Sequence, residues 1–419
     1  MNPLLPRKHF VPDAEARVMP DGKLYLYGSY DLSGCKNYCS KQYHVFVCED
    51  EKLENWTDCG ISFRNDAEQS DVPWNPDTTL YAPDAIERNG KYYLYMCGDN
   101  GFEGVAVSDK PEGPFTDAQP IIGADRNGID PSVFVDDDGQ AYYFWGQFRL
   151  KGAKLNDDMV SLDLSSVKED ILTEMEHGFH EGSSIRKHNG KYYMIYTDIS
   201  RGRATCMSYA IADNPMGPYT HGGVIVDNTY CDPSSWNNHG SILEYKGQWY
   251  IFYHRSSQNS NTSRRVCVEK IHFNSDGSIN EVRMTSTGAS DPICAFDWID
   301  ASLACRMKGS LYIAPQPGCD PENPNEVLTN VGKGDCIEDW AEYRDIDFGA
   351  GARKWTLRAK GEGKAYVMTA ENRILGSVDV HGDNFAEFTG ELEDDLHGAQ
   401  PLWLLFKGEN MVIDAYRFA

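Results

Sequence analysis

The sequence predicts an all-β protein, with a five-bladed β-propeller over about residues 1–295 and a second, strand-rich domain over residues 296–419. Three observations predict this organisation. A tyrosine-rich motif recurs five times before residue 295. Beyond that point the motif stops while strand-like segments continue. Helical periodicity is short and scattered, and its best candidate, residues 162–174, predicts a single helix in a loop.

Each copy of the motif is a turn that contains glycine and leads directly into an apolar strand. The chain reverses there, and glycine adopts the positive φ of such a turn without strain. Successive turn glycines lie 68, 49, 51 and 57 residues apart, so each copy leaves room for two further strands. Four strands repeated about every 50 residues are typical of a propeller blade. The five turn glycines are Gly22, Gly90, Gly139, Gly190 and Gly247.

The composition narrows the range of partners. With a formal net charge of −25, the chain would repel phosphate backbones and anionic lipids, so neither nucleic acid nor a membrane is an expected partner. A neutral ligand such as a sugar is compatible with this charge. No apolar run approaches the ~18 residues of a membrane span, and residues 1–6 lack the features of a signal peptide. With Met1 as the natural start, we expect a cytoplasmic protein whose twelve cysteines are mostly buried, reduced thiols.

A polar residue opens the strand that precedes each turn glycine, six to nine residues before it. These residues are Asp13, Asp84, Asp130, Glu181 and His239. Because the first strand of every blade lines the propeller axis, the five side chains are predicted to converge at one end of the channel. Buried carboxylates raise one another's pKa, which lets one site hold an acid and a base at the same pH. The alternative for any single copy is an Asp that bonds its own backbone, or, for His239, a core histidine.

The first domain resembles glycoside hydrolase family 43 in order and spacing over nearly 290 residues. The matching segments are residues 2–6, 13–18, 82–84, 129–139, 180–184, 238–241 and 263–266. This resemblance implies a five-bladed propeller that hydrolyses glycosidic bonds with inversion at the anomeric carbon. Such chemistry needs a proton donor on one face of the sugar and a water-activating base on the other, with carboxyl groups ~6.5–9.5 Å apart.

The resemblance also implies a role for each residue of the site. Asp13 matches the general base, Glu181 the general acid, and Asp130 the third carboxylate, which orients the acid and tunes its pKa. His239 matches a histidine beside a hydrated Ca²⁺ on the axis, and no organic cofactor is expected. Trp74, Asp84 and Arg264 match sugar-contacting positions, although a tryptophan is often simply part of a core. The chain departs from the family pattern at Ala14, where proline is common, and at Tyr81, where tryptophan is usual, and both departures leave the sugar open.

The second domain resembles carbohydrate-binding module family 6, which implies a β-sandwich of the jelly-roll type. Its usual sugar cleft is incomplete here. Glu391 follows residues 389–390, where an aromatic residue is usual; Val412 replaces an asparagine and Ala415 an aromatic, whereas Tyr343 is retained. We therefore expect this domain to pack on the propeller as a structural partner.

The resemblance to glycoside hydrolase family 43 implies an inverting glycoside hydrolase, which we expect to release terminal α-L-arabinofuranose, or β-D-xylose, from plant cell-wall oligosaccharides such as arabinoxylan fragments. A β-xylosidase proper is the alternative within this chemistry. A non-catalytic sugar-binding propeller would be expected to lack one of the three carboxylates, and all three are present. A retaining, fructan-cleaving propeller enzyme would begin near a Trp-Asn-Asp-Pro-Asn motif, which this sequence lacks.

Overall fold

The structure, a computed structural model, describes residues 1–125, 128–333 and 339–419. Within these ranges, five antiparallel sheets of three or four strands follow one another between Glu15 and Ile271. In each sheet the hydrogen-bonded neighbours are consecutive in sequence. The first strands of the five sheets contact one another in a closed ring, the fifth lying against the first. The predicted five-bladed β-propeller is therefore confirmed.

The strands are numbered in chain order. Blade 1 contains β1 (Glu15–Val18), β2 (Leu24–Tyr27), β3 (Gln42–Cys48) and β4 (Trp56–Arg64). Blade 2 contains β5 (Asp84–Arg88), β6 (Lys91–Cys97), β7 (Glu103–Ser108) and β8 (Thr116–Pro120). Blade 3 contains β9 (Ser132–Val135), β10 (Ala141–Trp145), β11 (Arg149–Leu155) and β12 (Lys168–Thr173). Blade 4 contains β13 (Phe179–His188), β14 (Lys191–Asp198), β15 (Cys206–Ala212) and β16 (Thr220–Asp227). Blade 5 contains β17 (Ser241–Tyr245), β18 (Gln248–Ser257) and β19 (Ser260–Ile271).

The five predicted turns join the first and second strands of the blades. All five turn glycines have φ between 75° and 85°. In blades 2, 4 and 5 the preceding residue, Asn89, Asn189 or Lys246, also has positive φ, as a two-residue type I′ turn requires. The hairpins inferred from the repeated motif are therefore present in every blade.

The N-terminal segment closes the ring beside β19. The backbone N–H of Leu4 donates to the carbonyl of Val266 at 2.9 Å. The side chain of Asn2 pairs with both backbone groups of Val268, at 3.0 and 2.9 Å. Blade 5, which is described throughout and has three strands of its own, thus gains backbone pairing from the start of the chain. This pairing fixes the first blade against the last.

The helix predicted for residues 162–174 is wrong over most of its length. The segment contains a 3₁₀ turn, Leu164–Ser166, and then the strand β12. A single α-helical turn, α1 (Glu174–His177), follows. The cause is tertiary pairing: Leu172 lies opposite Leu150 of β11, and both side chains are buried in the core of the blade. Such pairing outweighs the weak helical pattern of the segment.

A C-terminal β-rich domain follows, with its own hydrophobic core. Its strands are β20 (Ile293–Cys294), β21 (Ile299–Asp300), β22 (Arg306–Lys308), β23 (Tyr312–Pro315), β24 (Glu326–Thr329), β25 (Asp339–Asp347), β26 (Ala352–Met368), β27 (Ile374–Val380), β28 (Ala386–Leu396) and β29 (Ala399–Phe418), with a 3₁₀ turn at Ala301–Leu303. The long strand β29 pairs with β26 and also with β25, β24 and β21. No helix in the described ranges of the chain is long and apolar enough to cross a membrane.

This domain packs against the fifth blade through buried polar contacts. Arg265 of β19 forms a two-point ion pair with Glu326 of β24, at 2.6 and 2.7 Å, and both side chains are buried. The backbone N–H of Gln258 donates to the carbonyl of Ile313 at 2.9 Å. Leaving one member of a buried ion pair without its partner typically costs ~3–5 kcal/mol. The Arg265–Glu326 pair therefore opposes separation of the domains.

Candidate active site

Four of the five predicted ring residues meet in a cavity of about 230 Å³ at one end of the propeller axis. Asp13, Asp130 and His239 each lie two residues before the first strand of a blade, and Glu181 lies within β13. Equivalent positions on successive blades thus bring together residues that are distant in sequence. The remaining lining residues are Tyr38, Cys39, Tyr81, Ala82, Ile129, Gln147, His180, Trp236, Asn237 and Arg264.

The backbone at the acidic positions is unusual. Asp13 and Asp130 have φ of 57° and 56°, a left-handed conformation that residues other than glycine adopt rarely. Glu181 lies where the pairing of β13 with β14 shifts register. Gly182, which follows it, has φ of 68°, and a Cβ there would lie only 3.0 Å from the ring of His239. Such local strain is common where a fold directs side chains into a functional site.

Asp13 is held as an ionised carboxylate. One oxygen accepts from Arg264 Nη1 at 3.0 Å, and the other accepts from the hydroxyl of Ser29 at 2.6 Å. Burial by itself would raise the pKa of Asp13, but the positive charge of Arg264 and the Ser29 hydrogen bond outweigh burial, and the pKa is lowered from its usual value. The group is therefore able to accept a proton at neutral pH.

His254 contacts both the backbone and the carboxylate of Asp13, and the sequence repeat did not indicate it. Its Nδ1 lies 3.3 Å from the backbone nitrogen of Asp13, and its Nε2 lies 3.1 Å from the carbonyl of Asn237. Burial, together with the charge of Arg264, lowers the pKa of His254 to about 3, so the ring is neutral. These partners assign the tautomer, with Nδ1 accepting from Asp13 and Nε2–H donating to Asn237. The 3.5 Å approach of His254 to the Asp13 carboxylate is therefore not an ion pair.

Asp130 and Glu181 provide a second, different acidic environment. The backbone N–H of Gly182 donates to Asp130 Oδ2 at 3.0 Å, and Gln147 Nε2 donates to Glu181 Oε2 at 2.8 Å. Burial, and then the charges of Glu181 and Asp13, raise the pKa of Asp130 well above its usual value. Asp130 therefore holds a proton more readily than an ordinary aspartate, whereas Asp13 holds one less readily. Carboxyl groups whose pKa values are separated in this way are the usual means of combining an acid with a base.

Arg264 lines the cavity and binds two buried carboxylates, those of Asp13 and Asp31. Its Nε and Nη2 donate to the two oxygens of Asp31 at 2.9 Å each, while Nη1 donates to Asp13. The guanidinium also lies 4.8 Å from the ring centroid of Tyr38. Asp31, another residue that the repeat did not indicate, thus fixes Arg264 against the carboxylate of Asp13.

Asp84, expected to be a pocket residue, does not line this cavity. It accepts from Arg17 Nη2 at 2.7 and 2.6 Å and from the backbone N–H of Val133 at 2.7 Å. Arg17, Glu15 and Arg186 continue this buried network, with Glu15 paired to both arginines. Asp84 precedes its turn glycine by six residues, whereas Asp13, Asp130 and Glu181 precede theirs by nine. It therefore lies three residues nearer the turn, opposite Tyr95 of β6.

Trp74, the other expected pocket residue, also lies outside the cavity. Its ring packs edge-on against Phe102, with 6.4 Å between centroids, and it borders the core shared by the first two blades. The tryptophan that lines the cavity is Trp236, on the loop between β16 and β17. Its position three residues before His239 was the available signal in the sequence.

The donor set does not fit a Ca²⁺ ion held by protein ligands. His239 Nδ1 lies 3.7 Å from Asp13 Oδ1 and 3.9 Å from Asp130 Oδ2. Among the described residues, no group of three or more His, Cys, Asp or Glu side chains has the geometry of a metal site. Calcium prefers about six to eight oxygen ligands. His239 is placed as a neighbour of both carboxylates, and the hydrated Ca²⁺ that the family resemblance implies beside it stays a prediction.

Comparisons with known proteins agree with this geometry. The sequence profile of glycosyl hydrolases family 43 matches residues 2–279. A xylosidase/arabinosidase of Thermoclostridium stercorarium is 34% identical, over 97% of this chain and 96% of its own. A family 43 β-xylosidase/α-arabinofuranosidase from a compost metagenome, solved with xylotriose, has 31% identity and a TM-score of 0.58 over 68% of this chain and 97% of its own. An arabinoxylan arabinofuranohydrolase of Bacillus subtilis shares the fold over 100% of this chain and 97% of its own, with 24% identity and a TM-score of 0.58. A propeller closed around this set of carboxylates, and a profile match over most of its length, show that the chain is a glycosidase of glycosyl hydrolases family 43.

Proposed function

We propose that the protein is an inverting exo-glycosidase that releases terminal α-L-arabinofuranose or β-D-xylose from plant-derived oligosaccharides such as arabinoxylan fragments. The observation that carries this proposal is the meeting of Asp13, Asp130 and Glu181 in one cavity, where the pKa of Asp13 is lowered and that of Asp130 is raised. The names of the relatives, xylosidase/arabinosidase and β-xylosidase, support the choice of pentoses.

In this proposal Asp13 and Glu181 act on opposite faces of the terminal sugar. Asp13 accepts a proton from a water molecule as the water oxygen attacks the anomeric carbon. Glu181 donates a proton to the glycosidic oxygen as its bond to that carbon breaks. The free sugar then leaves with inverted configuration, and exchange of protons with solvent restores both groups.

Asp130 acts beside Glu181 rather than on the substrate bond. Its pKa is raised by burial and by the neighbouring carboxylates, and it is fixed by the N–H of Gly182, directly after Glu181. A charge change on either carboxyl group is therefore felt by the other. Asp130 is in this way suited to orient the segment that carries Glu181 toward the leaving oxygen.

The size of the cavity supports exo action. Its volume of about 230 Å³ lies below the ~300–1,000 Å³ that is typical of sites for drug-sized ligands. A single monosaccharide ring is the unit that suits such a space, with the rest of the oligosaccharide outside it. We therefore propose short oligosaccharides as substrates and the removal of one sugar at each turnover.

A substrate panel tests this proposal. Initial rates are measured with nitrophenyl α-L-arabinofuranoside, β-D-xyloside and β-D-galactoside, and then with unlabelled xylo-oligosaccharides and arabinoxylan fragments. We expect hydrolysis of at least one pentoside, little action on the galactoside, and a monosaccharide as the first product. Products longer than one sugar from the start of the reaction, or pentoside hydrolysis no faster than that of an Asp13→Asn variant, would refute the proposal.

A further inference from the structure

Phe148 is a strained and exposed aromatic residue next to the cavity. Its φ is 64°, a left-handed conformation that is exceptional for a bulky side chain, and 48% of its surface is exposed. Two backbone hydrogen bonds hold it there, from its own N–H to the carbonyl of His180 at 2.7 Å and from the N–H of Glu174 to its carbonyl at 3.0 Å. Burial of the ring does not account for this conformation, and such outliers are concentrated at functional sites.

Trp236 is a second exposed aromatic residue at the same opening. It lines the cavity, yet 42% of its surface is exposed. The guanidinium of Arg203 lies 5.8 Å from its ring centroid and also donates to the carbonyl of Ser235. The next residue, Asn237, is tied through its carbonyl to His254 and to Asn228. The indole is thus held at the rim by neighbours on both sides while part of it remains open to solvent.

Phe148 belongs to the side of the cavity that holds Glu181, and Trp236 lines the same cavity. Phe148 follows Gln147, whose amide donates to Glu181, and its ring meets His180 edge-on with 5.1 Å between centroids. Trp236 lies on the loop that leads from blade 4, the blade of Glu181, to blade 5. A general acid protonates the oxygen that the departing group carries away, so the departing sugar must lie on the side of the acid.

From this placement we propose that Phe148 and Trp236 form the leaving-group subsite, where they bind the first sugar beyond the cleaved bond. This inference rests on the proposed role of Glu181. The ligand is a neutral pyranose ring, whose apolar C–H face packs on an aromatic surface while its hydroxyls remain in water. Contacts to this non-reacting sugar position the bond for protonation, so they contribute to the transition state as well as to binding.

The test compares a substrate that has a leaving-group sugar with substrates that have none. Phe148→Ala and Trp236→Ala variants are assayed on xylobiose and an arabinoxylan oligosaccharide, and on β-D-xylosyl fluoride and α-L-arabinofuranosyl fluoride. Fluoride departs without a sugar ring and fills no leaving-group subsite. We expect kcat/KM to fall about tenfold or more on the oligosaccharides and to stay within about twofold on the fluorides, with Phe148→Tyr close to the parent protein.

The C-terminal domain supplies matched controls. Trp298 is 37% exposed and carries the guanidinium of Arg417 at 4.5 Å from its ring centroid, so it reproduces the Trp236–Arg203 pair away from the cavity. Phe296, 42% exposed, serves the same purpose for Phe148. Trp298→Ala and Phe296→Ala should leave both classes of substrate unaffected.

The outcomes separate this inference from the proposed function. Equal losses of kcat/KM on oligosaccharides and fluorides would mean that the two rings act only on the structure of the site. No loss on either class of substrate would mean that the leaving group binds elsewhere. Both results overturn the inference. Failure of the proposed function would instead appear in the parent protein, as a lack of turnover of every pentose substrate. Thermal unfolding midpoints confirm that each variant is folded.

Discussion

Replacing Asp13 by asparagine is expected to lower kcat for pentoside hydrolysis by about 10²–10⁴-fold, the usual contribution of a general base. The amide cannot accept the proton of the attacking water. Arg264 keeps its two hydrogen bonds to Asp31 in this variant, so the cavity wall should persist. The loss should be similar for nitrophenyl glycosides and for natural oligosaccharides, because water must be activated in both cases.

Asp117→Asn is the matched control for Asp13. Asp117 also has a left-handed backbone, with φ of 53°, but it lies exposed on β8 at the outer edge of blade 2. This variant should retain full activity and the same unfolding midpoint. A folded Asp13→Asn protein with more than about a tenth of the parent activity would remove Asp13 from the role of base.

Glu181→Gln is expected to produce a loss that depends on the leaving group. On oligosaccharides the rate should fall by about 10²–10⁴-fold, because the departing alkoxide requires a proton. On nitrophenyl glycosides and glycosyl fluorides the fall should be much smaller, since these groups leave readily as anions.

Glu176→Gln provides the control for this change, since Glu176 lies exposed on α1 only five residues before Glu181. It should behave as the parent protein on both types of substrate. If Glu181→Gln lost activity to the same extent whatever the leaving group, the proton donor would have to be another residue.

The repeated motif was sufficient to predict the blades and most of the ring. Each turn glycine fixes the register of one hairpin, and register fixes which residue begins the inner strand, so Asp13, Asp130 and His239 could be placed by counting. The same counting distinguishes Asp84, whose offset is three residues shorter and whose carboxylate contacts Arg17 instead of the cavity. The number of residues between a polar residue and its turn glycine thus predicts a place in the cavity only when it agrees, to within one or two residues, with the number in the other blades.

Residues that position the site by binding Asp13 or Arg264 could not be predicted by counting from the turn glycines. His254 lies on β18 and Asp31 follows β2, and neither holds a repeated position relative to a turn. Their roles depend on packing between the first and fifth blades, which no local pattern encodes. The failed helix at residues 162–174 has the same origin, because the pairing of β12 with β11 decides the structure of that segment.

The central claim is that an acid and a base stand on opposite faces of one sugar, with water attacking directly. Proton NMR of the first minutes of nitrophenyl β-D-xyloside hydrolysis tests it. All free xylose then comes from the cleaved side of the bond, and its anomeric signals resolve the configuration before mutarotation. From a β-linked substrate we predict that α-xylose appears first and that the β signal grows in later. Initial release of β-xylose would contradict the claim, because it requires a covalent intermediate on a nucleophile that lies only ~5–5.5 Å from the acid.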